Sequence, residues 1–324
     1  MVGSVAREGS WGPGGRADGF PMKVAVLGPG GVGGYYGGEL ARAGHEVRLL
    51  ARGEHLAALR ERGLEVRTPD GDFAVKPFAT GDPAELGPVD LVLVTVKAYS
   101  LSSVVPIAAR LAREGADVVP LLNGVEAADR LREGGVPAER LLGGVTAISA
   151  TKIAPGVIER RSPFRRVVVG ELAGGLSERA ERIAALFREA GAEARASAEI
   201  EVELWRKLVF LATLSGACGL ARAPVGPVRE AELGLLLLER AVAEVAAVGR
   251  ASGVPLPADE EERAMAFIQG LPGEMLPSFV LDLEAGGPTE LDILSGAVAR
   301  LGRDTGVPTL VHDTMVAALD AALA

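Results

Sequence analysis

Seven polar residues stand where their types and their places beside apolar runs or at element ends could do chemistry. Lys207 lies in Glu203-Leu-Trp-Arg-Lys-Leu-Val-Phe-Leu-Ala-Thr-Leu-Ser215, where the helix that follows is apolar on nearly every side. Such a helix is buried. A lysine at its entry either loses solvent, which lowers its pKa toward a range useful for proton donation, or forms an i, i+4 pair with Glu203. Lys97 ends the apolar strand-like run Asp90-Leu-Val-Leu-Val-Thr-Val96, and Asn123 stands at the same edge one strand on. Both either face a ligand crevice or serve blander ends: a lysine reaching water and an Asn-Gly turn. A late polar set comprises Ser278 and Asp282, then Glu290 and Asp292 in Gly287-Pro-Thr-Glu-Leu-Asp292. The spacing predicts a helix from Thr289 to Gly306, whose dipole is reason enough for two acids in its first turn.

The element that must position these groups is Lys23-Val-Ala-Val-Leu-Gly-Pro-Gly-Gly-Val-Gly-Gly34. It reads as a buried strand, a glycine turn and a helix start. Gly28, Gly30 and Gly33 fit G-x-G-x-x-G, with Pro29, Gly31 and Val32 between them, and the new helix offers free N–H groups to a pyrophosphate. The similar cluster Gly12-Pro-Gly-Gly15 has no strand before it. Arg52, 24 positions after Gly28, stands where an NAD-binding chain would carry an acid. It suits a 2'-phosphate and hence NADP, or it is a solvated surface arginine, with Glu54 able to reach a ribose.

Around this anchor the chain alternates strand and helix. Strands are expected over 46–51, 90–96 and 117–122, helices over 54–62 and 99–113, and a hairpin over 64–76 turned by Thr68-Pro-Asp-Gly-Asp72. From 141 to 172, Val, Ile and Thr broken by Pro155-Gly156 suggest antiparallel strands at the far edge of a mixed sheet. A helix over 177–190 and a short strand over 193–196 follow. Beyond 197 only helical periods remain, over 199–218, 228–252, 258–271, 289–306 and 309–324. The expected organisation is an N-terminal extension without fixed structure (1–21), a nucleotide-binding domain (22–196) and a helical substrate domain (197–324). The fold class is α/β, Rossmann-type, with an all-helical C-terminal part.

The 324 residues carry a net charge of −9 and no basic stripe, which argues against nucleic acid. One cysteine, Cys218, excludes an internal disulfide, and His45, His55 and His312 lack metal-ligand spacing, so no metal and a cytoplasmic setting are the expectations. The longest apolar run, 208–221, falls short of the roughly 20 residues of a bilayer span, so no membrane association is expected. The apolar stretch Leu233 to Leu238 could pack internally or against a second copy, and a homodimer is the slightly favoured expectation.

The ordered set Gly-x-Gly-x-x-Gly, Leu-Ala-Arg52, Val-Lys97-Ala, Leu-Asn123-Gly, Trp-x-Lys207, Ser278-x-x-x-Asp282 and Thr-Glu290-x-Asp292 resembles the ketopantoate reductase (2-dehydropantoate 2-reductase) family over residues 22 to 320. The resemblance implies a helical domain like that of 6-phosphogluconate dehydrogenase and NADPH-dependent reduction of ketopantoate to pantoate. It implies Lys207 as general acid and Glu290 as the group that helps to position substrate. It also implies Asn123 beside nicotinamide and lysine, Ser278 on the substrate carboxylate, and Arg52 and Lys97 on the cofactor.

Departures fall on the substrate wall. Leu211 and Ser215 stand where many members carry asparagines, and Ser215 is retained as a substrate contact. Leu294-Ser-Gly296 replaces Leu-Asn-Gly, and His312 stands where asparagine is common. A reductase of another, less polar 2-oxo acid is therefore one alternative. A non-catalytic NADPH sensor that kept the fold is a second.

Overall fold

The computed structural model describes residues 21–323. Residues 1–20, which hold nearly all of the expected N-terminal extension, lie outside the described residues, as does Ala324.

The chain opens with β1 (Lys23–Leu27), α1 (Gly31–Arg42), β2 (Glu46–Leu50) and α2 (Gly53–Arg62). β3 (Leu64–Arg67) and β4 (Phe73–Val75) form the hairpin expected around residues 68–72, and β5 (Phe78–Thr80), which the sequence did not suggest, pairs parallel with β2. β6 (Leu91–Val94), α3 (Leu101–Arg113) and β7 (Asp117–Pro120) complete a five-stranded parallel sheet in the order β5-β2-β1-β6-β7. β6 and β7 are buried at every position, as continuous apolar strands covered on both faces must be. The strand order reverses at β1, so the crevice at the carboxyl ends of β1 and β6 is the switch point where ligands of such sheets bind.

After the short α4 (Ala127–Glu133), β8 (Leu142–Ala147), β9 (Ala150–Ala154), β10 (Val157–Arg160) and β11 (Arg166–Glu171) follow. β8 and β11 pair antiparallel, and α5 (Glu178–Glu189) leads to β12 (Glu193–Ser197), which lies parallel on β11. The expectation of one antiparallel edge holds only for β8 and β11. The β9–β10 hairpin, turned at Pro155-Gly156, leaves that edge and joins β3 and β4 in a separate four-stranded sheet, β4-β3-β10-β9. It covers α1, whose consecutive small residues let β10 approach: a Cβ on Gly34 would stand 2.6 Å from Ile158 Cγ1.

Every element among the described residues after Ser197 is helical. α6 (Ile200–Ala221) runs 22 residues and packs against α7 (Val225–Glu230), α8 (Gly234–Ala251), α9 (Glu260–Gly270), α10 (Ser278–Glu284), α11 (Ser295–Thr305), α12 (Leu310–Leu323) and β8. By length and composition it could cross a membrane, and most of its apolar window is buried within the protein. The expected single helix 228–252 is two: Ala231 is extended, and α8 restarts at Gly234 against the Val228 carbonyl, where a side chain would not fit. Leu233 and Leu236 at that restart are exposed, Leu238 buried. The expected helix 289–306 is also broken. Glu290 caps a single 3-10 turn, Leu291–Ile293, and α11 begins only at Ser295, because Leu294 takes φ −103°, ψ −104°. Glu290 and Asp292 therefore do not sit in the first turn of an α-helix, and the dipole explanation for them fails.

One continuous apolar core joins α3 and the adjoining sheet face to α6, α8, α10 and α11, while a second lies on the other face with α1 and α5. The two halves are thus fused through packing rather than merely linked.

Candidate active site

The glycine turn is built as its sequence requires. Gly28 has φ +93°, and a Cβ there would lie 2.6 Å from Val96 Cγ1; a Cβ on Gly31 would run into the Ala150 carbonyl. Around Gly30, by contrast, there is nothing within 4 Å of a built Cβ. Thr95 Oγ1 donates to the Gly28 carbonyl at 2.8 Å, tying the turn to the end of β6. Pro29 is buried, and Val32 and Gly33 lie in the first turn of α1, where N–H groups lack helical partners. Arg52 caps α2 just beyond β2 and is exposed.

Lys97 and Asn123 stand past the ends of β6 and β7, and the helical half brings acids to meet them. Lys97 Nζ lies 2.7 Å from Asp282 Oδ2 and 3.4 Å from Glu290 Oε2. Asn123 Nδ2 donates to Glu290 Oε2 at 3.0 Å, and the Ala98 N–H points at Glu290 Oε1 across 3.5 Å. Glu290 is only 5% exposed, so a carboxylate there requires these partners. Burial works against the Lys97 ammonium, but Glu290 and Asp282 together hold its pKa above the usual lysine range.

Lys207, about two turns into α6, does not pair with Glu203, which Arg195 and Arg206 occupy at 2.9 and 3.4 Å. Its Nζ donates instead to the Thr146 carbonyl on β8 at 2.8 Å. Loss of solvent lowers its pKa to about 8, with the charge of Glu290 acting in the opposite direction. An ammonium with that pKa gives up its proton readily near neutrality.

The remaining candidates are spread around this centre. Ser278 is exposed in the first turn of α10, four residues ahead of Asp282 and so on the same helix face. Ser215, eight residues after Lys207, is 2% exposed, and its Oγ has no hydrogen-bond partner. Leu211 between them is partly buried. Asp292 points away from the cluster into an ion-pair network with Arg130 and Arg300. His312 is fully buried against α8, its Nε2 3.1 Å from the Ala241 carbonyl, and does not join the site. Among the described residues no group of His, Cys, Asp and Glu could hold a metal.

Sequence reasoning missed two contributors. The Thr146 acceptor is a backbone carbonyl and leaves no side-chain signal. His55, set aside for lack of metal spacing, bonds Pro29 within the glycine turn; its place on the inner face of α2 was the available cue.

A parallel sheet with a glycine turn at its switch point, closed by helices that bring a lysine and a carboxylate over its edge, defines a Rossmann-type oxidoreductase. Comparison with known proteins narrows the class. The family profile described as ketopantoate reductase PanE/ApbA matches residues 24–174, and the profile for the C-terminal part of that family matches residues 199–323. The chain is 34% identical over 296 residues to 2-dehydropantoate 2-reductase of Halobacterium salinarum, covering 91% of this chain and 96% of that one. It is 30% identical over 298 residues to an uncharacterized oxidoreductase, YkpB, of Bacillus subtilis, covering 92% and 98%. Among solved structures, D-mandelate dehydrogenase with NADH and anilino(oxo)acetate superposes with a TM-score of 0.85 at 25% identity, covering 93% of this chain and 98% of that one. The protein belongs to the ketopantoate reductase family.

Proposed function

We propose that this protein reduces a 2-oxo acid, most simply ketopantoate to pantoate, with NADPH as the reductant. The observation that carries the reading is the meeting of Asn123, Lys97 and Glu290 at the ends of β6 and β7, together with Lys207, whose pKa is lowered to about 8. A ketone that accepts hydride becomes an alkoxide, which must be stabilised and protonated, and a lysine ammonium does both.

The residues around the glycine turn fit a dinucleotide. Close packing forbids side chains at Gly28 and Gly31, the backbone at Gly30 is open, and the first turn of α1 presents unpaired N–H groups. Gly28, Pro29, Gly30, Gly31, Val32 and Gly33 would hold the pyrophosphate, and Arg52, exposed and cationic, would take the 2'-phosphate. Bound there, the nicotinamide supplies the hydride. Asn123 and Lys97 are the polar side chains just past the ends of β7 and β6 that share Glu290 and from which the reacting carbonyl would be reached. Lys207 protonates the carbonyl oxygen, Glu290 orients the substrate and sustains the charge of Lys207, and Ser278 and Ser215 are the hydroxyls offered to the polar groups of the acid.

Leu211 and Ser215 favour a second reading of the substrate. A wall with one aliphatic and one short hydroxyl side chain suits a 2-oxo acid with a less polar substituent, and the likeness to a mandelate dehydrogenase supports that direction. Steady-state oxidation of NADPH and of NADH over a panel of 2-oxo acids tests both readings. Ketopantoate with NADPH should give the highest kcat/KM, and Arg52→Ala should erode the preference for NADPH by about tenfold or more, the range of a hydrogen bond to a charged group. A higher kcat/KM for an aryl or branched 2-oxo acid would move the assignment to the second reading. Tight dinucleotide binding without turnover of any acid would leave a sensor.

A further inference from the structure

His55 lies in the first turn of α2 and is 8% exposed. Each ring nitrogen has one partner: Nε2 is 2.8 Å from the Pro29 carbonyl and Nδ1 is 2.9 Å from the Gly156 N–H. A backbone N–H can only donate, so Nδ1 must be bare, and the proton must sit on Nε2 and be donated to Pro29. The ring is therefore neutral and fixed in one tautomer.

Its two partners belong to turns that follow strands of different sheets. Pro29 lies inside the glycine turn, while Gly156, with φ +81°, is the corner of the β9–β10 hairpin, and its own carbonyl accepts from Glu65 N at 2.9 Å. The same hairpin presses on the turn through the Ala150 carbonyl, which occupies the space a side chain on Gly31 would need. The imidazole is thus the hydrogen-bonded brace between the turn and the second sheet.

We infer that His55 is a positioning residue of the dinucleotide site: as a neutral imidazole it holds the Pro29 carbonyl away from the phosphates and locks the glycine turn to the β9–β10 hairpin. This rests on the reading of residues 28–33 as a dinucleotide turn. The first turn of α1 offers N–H groups and the positive end of a dipole to an anion. A carbonyl swung among those donors would set partial negative charge against the phosphates, and an unbraced turn would lose more freedom on binding. Removing the ring would also leave the Pro29 carbonyl and the Gly156 N–H, both in a buried setting, without their partner.

Protonation would have the same effect as removal on one side, because Nδ1–H would then face the Gly156 N–H, donor against donor. Burial opposes that charge, the bond to the Pro29 carbonyl favours it and Lys152 on β9 opposes it, leaving the pKa below the usual histidine range. Lys152 is the charged group that bears on the ring from a neighbouring element. The turn itself carries no charged side chain, and Arg52 and Glu54, the charged residues closest to His55 in sequence, are both exposed.

The test is the dissociation constant for NADPH, followed by titration fluorescence from pH 5 to 8 in wild type, His55→Leu and His55→Gln. At pH 7.5 the leucine variant should bind about three- to tenfold more weakly, the range that one hydrogen bond supports. Glutamine, which offers both a donor and an acceptor, should restore binding to within about twofold of wild type. The 2'-phosphate titrates near pH 6 in every variant, so the difference between curves reads the ring. Wild type should weaken more steeply on acidification than His55→Gln. Equal binding by wild type and His55→Leu, equally weak binding by both variants, or parallel pH curves for wild type and His55→Gln would each overturn the inference. If wild type binds neither NADPH nor NADH, the dinucleotide reading itself falls and takes this inference with it, an outcome visible before any variant is made.

Discussion

Asn123 donates to Glu290 across 3.0 Å, and this bond joins the end of a parallel strand to the turn that precedes α11. The same carboxylate lies 3.4 Å from Lys97 and favours the charged form of Lys207. One buried acid thus links three polar groups that the sequence scatters over positions 97 to 207.

Glu290→Gln should separate the two parts of that role. The amide can still accept from Asn123, but it removes the negative charge that supports the Lys207 ammonium. The pKa of Lys207 should then fall below about 8, and the alkaline limb of the rate profile for reduction should move to lower pH. A pH profile of kcat/KM checks this; an unmoved limb with lowered kcat would mean that Glu290 acts by geometry alone.

Lys207 itself should set that limb in wild type. Reduction needs the ammonium, so it should decline as pH rises through about 8, while oxidation of the hydroxy acid, which needs the free amine, should rise over the same interval. Lys207→Met should lower kcat by about 10²- to 10⁴-fold. Stability should respond in the opposite sense. The folded-state pKa lies below the ordinary 10.5, so the folded chain binds this proton less tightly than the unfolded one. The resulting penalty is full below about pH 8 and fades as pH rises toward 10.5. The methionine variant should accordingly gain more in Tm over wild type at pH 7 than at pH 10.

Much of this arrangement was legible before any coordinates. The run from Lys23 to Gly34 specified strand, turn and helix because glycine spacing and buried apolar residues each admit few structures, and the G-x-G-x-x-G match placed its edge of the sheet. Lys97 and Asn123 were placed by the ends of their strands. The pairing of β9 and β10 with β3 and β4 was not legible, since alternation marks a strand without naming its neighbour. Nor was the break at Leu294: helical periodicity runs through residues 289–306, whereas Glu290 is engaged by Asn123 and Lys97 and Asp292 by Arg130 and Arg300, contacts distant in sequence. Whether Lys207 faced Glu203 or the interior depended on Arg195 and Arg206 taking the glutamate, which a spacing argument cannot see.

His312, fully buried against α8 with its Nε2 at the Ala241 carbonyl, should make the fold acid-sensitive. Burial lowers its pKa to about 4. Its ordinary value is 6.5, so on this account stability is intact above pH 6.5 and is lost progressively as pH falls toward about 4. A shift of that size corresponds to roughly 3 to 4 kcal/mol as an upper bound. Burial also lowers the pKa values of His45 and His55 and adds to the same trend. Urea denaturation of His312→Gln between pH 4 and 7 should show a flatter dependence on pH than wild type, whatever its stability at pH 7. A slope equal to that of wild type would mean that the ring remains solvated enough to titrate normally.

Arg300 tests whether the site depends on charges that never touch it. Its guanidinium lies 2.8 Å from Asp292 and 2.8 Å from Glu126, while Arg130 reaches the same two acids at 3.1 and 3.0 Å. These alternating charges hold Asp292, two residues after Glu290, near Glu126, which caps α4 three residues after Asn123. Both arginines are about a third exposed, so each pair should contribute no more than about 1 kcal/mol to folding. Position is the larger stake, because displacement of a catalytic group by about 1 Å can cost 10²-fold in rate. Arg300→Met should therefore shift Tm by only a few degrees and yet lower kcat/KM for the 2-oxo acid by about tenfold, mainly through KM. Unchanged kcat/KM at a lowered Tm would assign the network to stability alone, and it would leave the bond from Asn123 sufficient to place Glu290.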